Sequence, residues 1–304
     1  MNRENYEFRA QLGHSLRVGG IDYLNSRPLV ETFDAVAGAE VELFNLPPSE
    51  LARRLRAGLL DVALVPVAEY FTAPARARYR VVPGLGISSF GAVESIRLFF
   101  RRPLGEVRRV GLDQSSMTSV LLTRLLFAER PDARWRALSP PPELVFEGLD
   151  PDAGLALLER KHFGDDDIDG VLLIGDAALQ ANAGLSSEWK MVDLGLEWTR
   201  WLGLPFVYAF WVHAGDAVEG VVECLHAVYR SGLASIDSIV ASGPLPTGMS
   251  ASAARHYLGQ VLRYRLTDSE IRGIREFVRR LSARGLIGAE TRELDFLDEP
   301  SFAL

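Results

Sequence analysis

The stretch "VRRVGLDQSSMTSVLLTRLLFAE", residues 107–129, decides how this chain folds. Residues 107–113 read as a short strand that ends on Asp113. Four hydroxyls follow within five residues, Ser115, Ser116, Thr118 and Ser119, and residues 115–129 carry the apolar spacing of a helix. Strand, polar turn and helix form one β-α unit. A chain built from such units is an α/β protein, with open sheets covered by helices on both faces.

The same order recurs on both sides. Upstream, "LRVGGI" (16–21) is a strand, a helix begins at Leu29, "VELFNL" (41–46) is a second strand, and "ELARRLRAG" (50–58) is a helix closed by Gly58. "DVALVPV" (61–67) has the length and valine content of a buried parallel strand, and "ESIRLFFRR" (94–102) is another strand. Downstream come strand "ELVFEG" (143–148), helix 152–162, strand "GVLLIGD" (170–176), a helix from Ala177 and a late strand "FVYAFWVH" (206–213). The remainder reads as helix, with Thr267-Asp268-Ser269-Glu270 as a capping box for "IRGIREFVRRLSARG" (271–285).

Two such sheets fit 304 residues. The crossings between them are expected at "RRPLGEV" on the way out and "GLPFVYAFWV" on the way back. Lobe one is then discontinuous, 15–102 plus 211–304, and lobe two is 106–205; 103–105 and 206–210 are the hinge crossings and 1–14 an N-terminal tail. Two lobes on two crossings enclose a hinged cleft, a common ligand site.

Composition narrows the classes. The chain is 48% hydrophobic and 24% charged, as soluble globular proteins are. A net charge of −7 speaks against nucleic acid as a partner, which would call for a basic face. Cys224 is the single cysteine, so no internal disulfide forms, and "VVECLHAVY" gives it the surroundings of a core thiol. The polar start "MNRENYEFRAQLGH" lacks the apolar run of a secretory signal. No run approaches the roughly 20 apolar residues of a membrane span. The expectation is a cytoplasmic protein without membrane or nucleic-acid partners; a homodimer is allowed.

Ligands of open α/β sheets bind beyond the carboxyl ends of the strands. After the first strand comes Asp22-Tyr23-Leu24-Asn25-Ser26, after "DVALVPV" Ala68-Glu69-Tyr70, after "VVPGLG" Ile87-Ser88-Ser89, and after "GVLLI" Gly175 and Asp176. The Ser115–Ser119 cluster opens a helix whose first N–H groups lack intrahelical partners and can hold an anion without a lysine. One cap is needed there, and four hydroxyls exceed that need. Asn25 alone would pass for a turn residue, Asp176 for a helix cap and Glu69 for a solvated carboxylate. The five histidines show no metal-ligand spacing, and no P-loop, G-x-S-x-G or G-x-G-x-x-G after a strand occurs. What remains is a site without cofactor or metal, built from hydroxyls, amides and a carboxylate.

"GIDYLNSRPL", "GLLDVALVPVAEY", "VPGLGISSFGAVESIRLF", "LDQSSMTSVLLTRLL", "LLIGDAAL" and "DLGLEWTRWLGLPFVYAFW" occur in this order. Together they resemble the chorismate dehydratases of the futalosine route to menaquinone, over residues 16 to 285. Two positions depart: Leu202 stands where threonine is expected, and Met117 where a basic or polar residue is frequent. The resemblance implies a two-lobe periplasmic-binding-protein-like fold of type II, each lobe an open mixed sheet flanked by helices. It also implies a hydro-lyase that takes water from chorismate to give 3-[(1-carboxyvinyl)oxy]benzoate.

On this resemblance Asn25, Asp176 and Glu69 are the catalytic candidates. Tyr23, Ser88, Ser89, Ser115, Ser116, Thr118, Ser119 and Gly175 are the substrate-binding ones. The base is Asp176, Glu69 or the substrate's own side-chain carboxylate. Arg27 is expected at the surface. A solute-binding protein of the same fold is a rival, as is the sibling enzyme that makes a dihydroxynaphthoate. The sibling is expected to carry a histidine near "IGDAAL", and this chain has none there.

Overall fold

The computed structural model describes residues 6–74, 77–129, 132–135, 144–160, 164, 167–181, 185–289 and 291–298. Among the described residues eleven strands form two mixed sheets. The six-stranded sheet contains β1 (Leu16–Ile21), β2 (Val41–Leu46), β3 (Val62–Pro66), β4 (Tyr79–Ser89), β10 (Phe206–Ala214) and β11 (Arg263–Arg265). The five-stranded sheet contains β5 (Ile96–Phe100), β6 (Arg109–Asp113), β7 (Val145–Leu149), β8 (Gly170–Ile174) and β9 (Lys190–Asp193). Their orders are β11-β4-β10-β3-β1-β2 and β7-β6-β8-β5-β9. The β-α-β units give parallel pairs: β1 with β2 and β3, and β6 with β7 and β8. The strands next to the crossings, β10 and β5, run antiparallel to their neighbours.

The crossings lie earlier than the sequence suggested. β5, expected in lobe one, pairs with β8 and β9 of the second sheet, so the chain leaves the first sheet between Ser89 and Ile96. The expected exit at 103–105 is instead a 3-10 turn, Leu104–Glu106, between β5 and β6. The expected return at 206–210 lies inside β10, so the chain has already come back by residue 206. An apolar strand such as "IRLFF" looks the same whichever sheet it joins. Nor is the start of the chain wholly a tail: Phe8–Leu12 is a helix whose Phe8 is fully buried, with Tyr6 stacked on it at 5.3 Å. Cys224 is buried, as its surroundings implied. Among the described residues no helix is long and apolar enough to cross a membrane.

Both crossings are fastened to the helix Leu194–Leu202. Asp193, at its start, accepts hydrogen bonds from the N–H groups of Val93 and Glu94 on the outward crossing and from Leu196 of its own helix. Thr199 Oγ1 accepts from Gly91 N at 2.9 Å, and Trp198 Nε1 donates to Pro205 O at 3.2 Å on the return. Trp198, Phe206 and Phe277 pack edge to face beneath, with centroids 4.9 to 5.8 Å apart. Leu202 ends this helix against the core.

The C-terminal helix Asp268–Ala283 begins at the expected capping box and runs along the same junction. There Gly273 packs so closely that a Cβ would lie 2.2 Å from Pro205 O. Gly273→Ala should therefore destabilise the protein by about 1–3 kcal/mol, in spite of alanine's better helix propensity. Thermal unfolding checks this; an unchanged or raised melting temperature would mean that the return crossing yields freely.

Candidate active site

The carboxyl ends of β1, β3, β6 and β8 converge on the space between the sheets. A narrow cleft opens there, lined by Ile21, Tyr23, Asn25, Pro48, Pro66, Ile87, Ile96, Ser116, Met117, Thr118, Ser119, Ile174, Gly175, Tyr208 and Ala209. The walls are largely apolar, with polar groups gathered at two places.

The first is the turn after β1. Ser26 Oγ donates to the carbonyls of Ile21 and Tyr23, which closes the corner and leaves Asn25 free of that task. Asn25 Oδ1 is buried and has no hydrogen-bond partner. A buried acceptor such as Asn25 Oδ1 is costly unless a donor satisfies it, and in the cleft lining it is placed to accept from a bound ligand. Ser95 Oγ, on the outward crossing, is buried near the Tyr257 hydroxyl and is not part of the cleft lining. The second place is the start of the helix Thr118–Glu129, where the first amides carry the positive end of the helix dipole.

Three hydrogen bonds join the sheets across the cleft. Tyr23 OH donates to Ser115 Oγ at 2.9 Å, Leu24 N to Asp176 Oδ1 at 3.0 Å, and Ala68 N to Thr118 Oγ1 at 3.1 Å. Tyr23 reaches over because residue 175 is glycine: its φ is +58° and a Cβ would lie 2.7 Å from the Tyr23 ring. Burial pushes the Tyr23 phenol up to about 12, so it is a neutral donor at any ordinary pH.

Tyr23, Asn25, Ser116, Thr118, Ser119 and Gly175 thus line one cleft. Ser115 stands behind Tyr23. Ser89 is bonded at 2.9 Å to the hydroxyl of Tyr208, which lines the cleft in its place. Three candidates stand elsewhere. Ser88 Oγ donates to Arg263 O on the edge strand β11. Glu69 is fully buried away from the cleft, where Arg56 Nε (3.1 Å) and Tyr79 OH (3.0 Å) donate to it. It is an ion-pair carboxylate and not a base facing a ligand. Asp176 lines an adjoining groove with Asp22, Arg27, Glu31 and Asn45. Burial, and then the nearby Asp22, raise its carboxyl above the ordinary range. Arg27 is not a free surface group: it pairs with Glu31 at 2.6 Å and its Nη1 is buried. Of the two unusual positions, Met117 lines the cleft and Leu202 does not.

Sequence reasoning passed over Tyr208. It is buried in the apolar run of β10, and the discernible signal was a lone hydroxyl within that run.

A family model described as "Menaquinone biosynthesis" matches residues 16–283. The chain belongs to this family. It is 30% identical over 250 residues to a chorismate dehydratase of Thermus thermophilus, covering 77% of this chain and 84% of that protein. Among solved structures, protein AF1704 from Archaeoglobus fulgidus superposes with a TM-score of 0.68 at 17% identity, over 91% of this chain and 100% of that one. The periplasmic aliphatic sulphonate binding protein SsuA from Escherichia coli gives 0.59 at 11% identity, over 96% of each chain. These likenesses establish the periplasmic-binding-protein-like fold, two mixed sheets with a cleft between them. In this family member the cleft carries the six lining candidates named above.

With both polar neighbours of Glu69 inside one lobe, Glu69→Gln should lower stability by about 1–3 kcal/mol, the cost of weakening a charged hydrogen-bond set. Activity per folded molecule should stay within about twofold. A Glu69→Gln protein that melts normally but has lost its activity would return Glu69 to the site.

Proposed function

We propose that this chain is a chorismate dehydratase, a hydro-lyase that converts chorismate to 3-[(1-carboxyvinyl)oxy]benzoate in menaquinone biosynthesis. The observation that carries the reading is the lining of the cleft. Among the described residues it offers neutral donors and a helix start, and no carboxylate, imidazole, ammonium or guanidinium.

Chorismate is a dianion with an apolar ring. The ring fits between Ile21, Ile87, Ile96 and Ile174. One carboxylate goes to the helix start at Thr118 and Ser119, the other toward the Nδ2 amide hydrogens of Asn25. The proton to be removed lies on the ring carbon that bears the enolpyruvyl ether. Conjugation carries the electron pair of that C–H bond onto the ring carboxylate. Donors fixed before the reaction stabilise this charge without reorganising. The hydroxyl on the next carbon then leaves with its bonding pair, and the ring becomes aromatic. The proton taken and the hydroxide released make up the water lost. With Glu69 paired off and Asp176 in the adjoining groove, the substrate's own side-chain carboxylate is the base this reading favours. The protein then holds it against the ring carbon, where proximity does much of the work.

Incubation of the pure protein with chorismate, followed by ultraviolet absorbance and chromatography of the product, tests the proposal. An aromatic enol-ether product is expected. Chorismate bound but recovered unchanged would make the chain a binding protein of the same fold.

Two substitutions divide the roles. Asn25→Asp puts a negative charge in place of a donor facing a dianion, so turnover should fall by about 10²–10³ or more at nearly unchanged melting temperature. Asp176→Asn keeps an oxygen for Leu24 N and should leave turnover within a few-fold. Abolished turnover in Asp176→Asn, with normal melting, would make Asp176 the base instead.

A further inference from the structure

We propose that Asp113 is a positioning residue for this reaction, acting through Ser115 on Tyr23 across the cleft. The assignment rests on the reaction read above. Asp113 ends β6 and is 1% exposed. Its Oδ1 accepts from Ser115 N at 2.9 Å and from Ser115 Oγ at 2.5 Å. Its Oδ2 accepts from Ile174 N at 3.1 Å. Turn formation alone would use only the Ser115 N–H. The other two bonds reach the cleft.

The hydroxyl bond sets a direction. Ser115 gives its one hydrogen to Asp113, so it meets Tyr23 with lone pairs only. Tyr23 must then donate, and it does, at 2.9 Å. The phenolic oxygen consequently offers only lone pairs to anything bound in the cleft. It suits a hydroxyl donor and turns carboxylates away, toward the helix start and Asn25. In chorismate the ring hydroxyl, which is the leaving group, is the donor that fits there. A carboxylate three hydrogen bonds removed from the substrate thus helps to choose which way round the ring lies.

The second bond supports the other side of Tyr23. Ile174 N is held by Asp113, and Gly175, the next residue, is the surface on which the Tyr23 ring rests. One buried carboxylate in the five-stranded sheet therefore fixes both the hydroxyl and the ring of a tyrosine supplied by the six-stranded sheet. The arrangement is complete only when the lobes are together.

A double-mutant cycle between Asp113→Asn and Tyr23→Phe tests this. Each single variant should lower kcat/KM for chorismate by roughly tenfold or more, the order of a lost hydrogen bond. In the Asp113→Asn background, Tyr23→Phe should cost no more than about threefold further, because its partner is already misplaced. The parallel cycle between Glu69→Gln and Tyr23→Phe, which share no partner, should multiply. Losses that multiply in the Asp113 cycle as well would overturn the proposal and leave Asp113 a turn residue. Should Asp113→Asn fail to fold, Ser115→Ala cuts the same chain, and the same outcomes decide. The cycle is also read in the melting temperature of the ligand-free protein: the shift caused by Tyr23→Phe should vanish in the Asp113→Asn or Ser115→Ala background, and persistence of the full shift overturns the link. That reading stands even if chorismate is left unchanged, an outcome that would sink the proposed reaction alone.

Discussion

The carboxylate of Asp193 is the interaction on which the rest of the molecule depends. It accepts from Val93 and Glu94 on one crossing and from Leu196 in the helix that leads to the other. To bring those N–H groups round, Glu94 adopts a φ of +64°, the one positive value at a non-glycine among the described residues. The left-handed conformation costs about 1–2 kcal/mol for such a residue. Hydrogen bonds to a charged group, at about 1.5–3 kcal/mol each, offset it. The next links follow in order. Ser95 O takes the N–H of Gly175 at 2.8 Å, Gly175 leaves room for the Tyr23 ring, and Tyr23 reaches Ser115. The hinge and the cleft wall are therefore parts of one hydrogen-bonded path.

Much of this was legible in the sequence, and the failures have a physical cause. The β-α order, the capping box at Thr267 and the hydroxyl-rich helix start are local signals, and local signals are carried by spacing. Which sheet a strand joins is not local: "IRLFF" is apolar throughout and fits either lobe. The site candidates divide along the same line. Asn25 lies in the 3-10 turn after β1 and Thr118 at the first position of the helix after β6, where local backbone geometry aims them at the cleft. Ser88 and Ser89 are neighbours on one strand, so the pleat sends their side chains to opposite faces. Spacing does not say which of them meets the cleft; here Ser89 reaches Tyr208 and Ser88 faces β11. Glu69 sits in the first turn of the helix Val67–Thr72, where rotation about the helix carries it to Arg56 and Tyr79.

The hydrogen bonds across the cleft also explain why so few groups suffice. Tyr23, Leu24 N and Ala68 N each find a partner in the second lobe, so paired donors frame the space between the sheets. Hydrogen bonds within that space act at a lower effective dielectric than at the surface, and each donor there stabilises developing charge more strongly.

The lack of a cation in the lining, seen among the described residues, has a consequence for the base. An arginine or lysine would hold a dianion more tightly. It would also favour the ionised form of any carboxylate within about 4–6 Å and lower its pKa by about 1–3 units. If the substrate's side-chain carboxylate takes the proton, such a partner would weaken the base at the moment it is needed. An amide and hydroxyls hold an anion with less loss of basicity. The helix start can stay with the ring carboxylate, where charge builds up, so the two carboxylates of one substrate receive unequal support. A protein with a net charge of −7 that binds a dianion through neutral groups is then not poorly matched to its ligand. On the proposed reaction its donors would stabilise the transition state more than the bound substrate, which is the condition for a higher turnover.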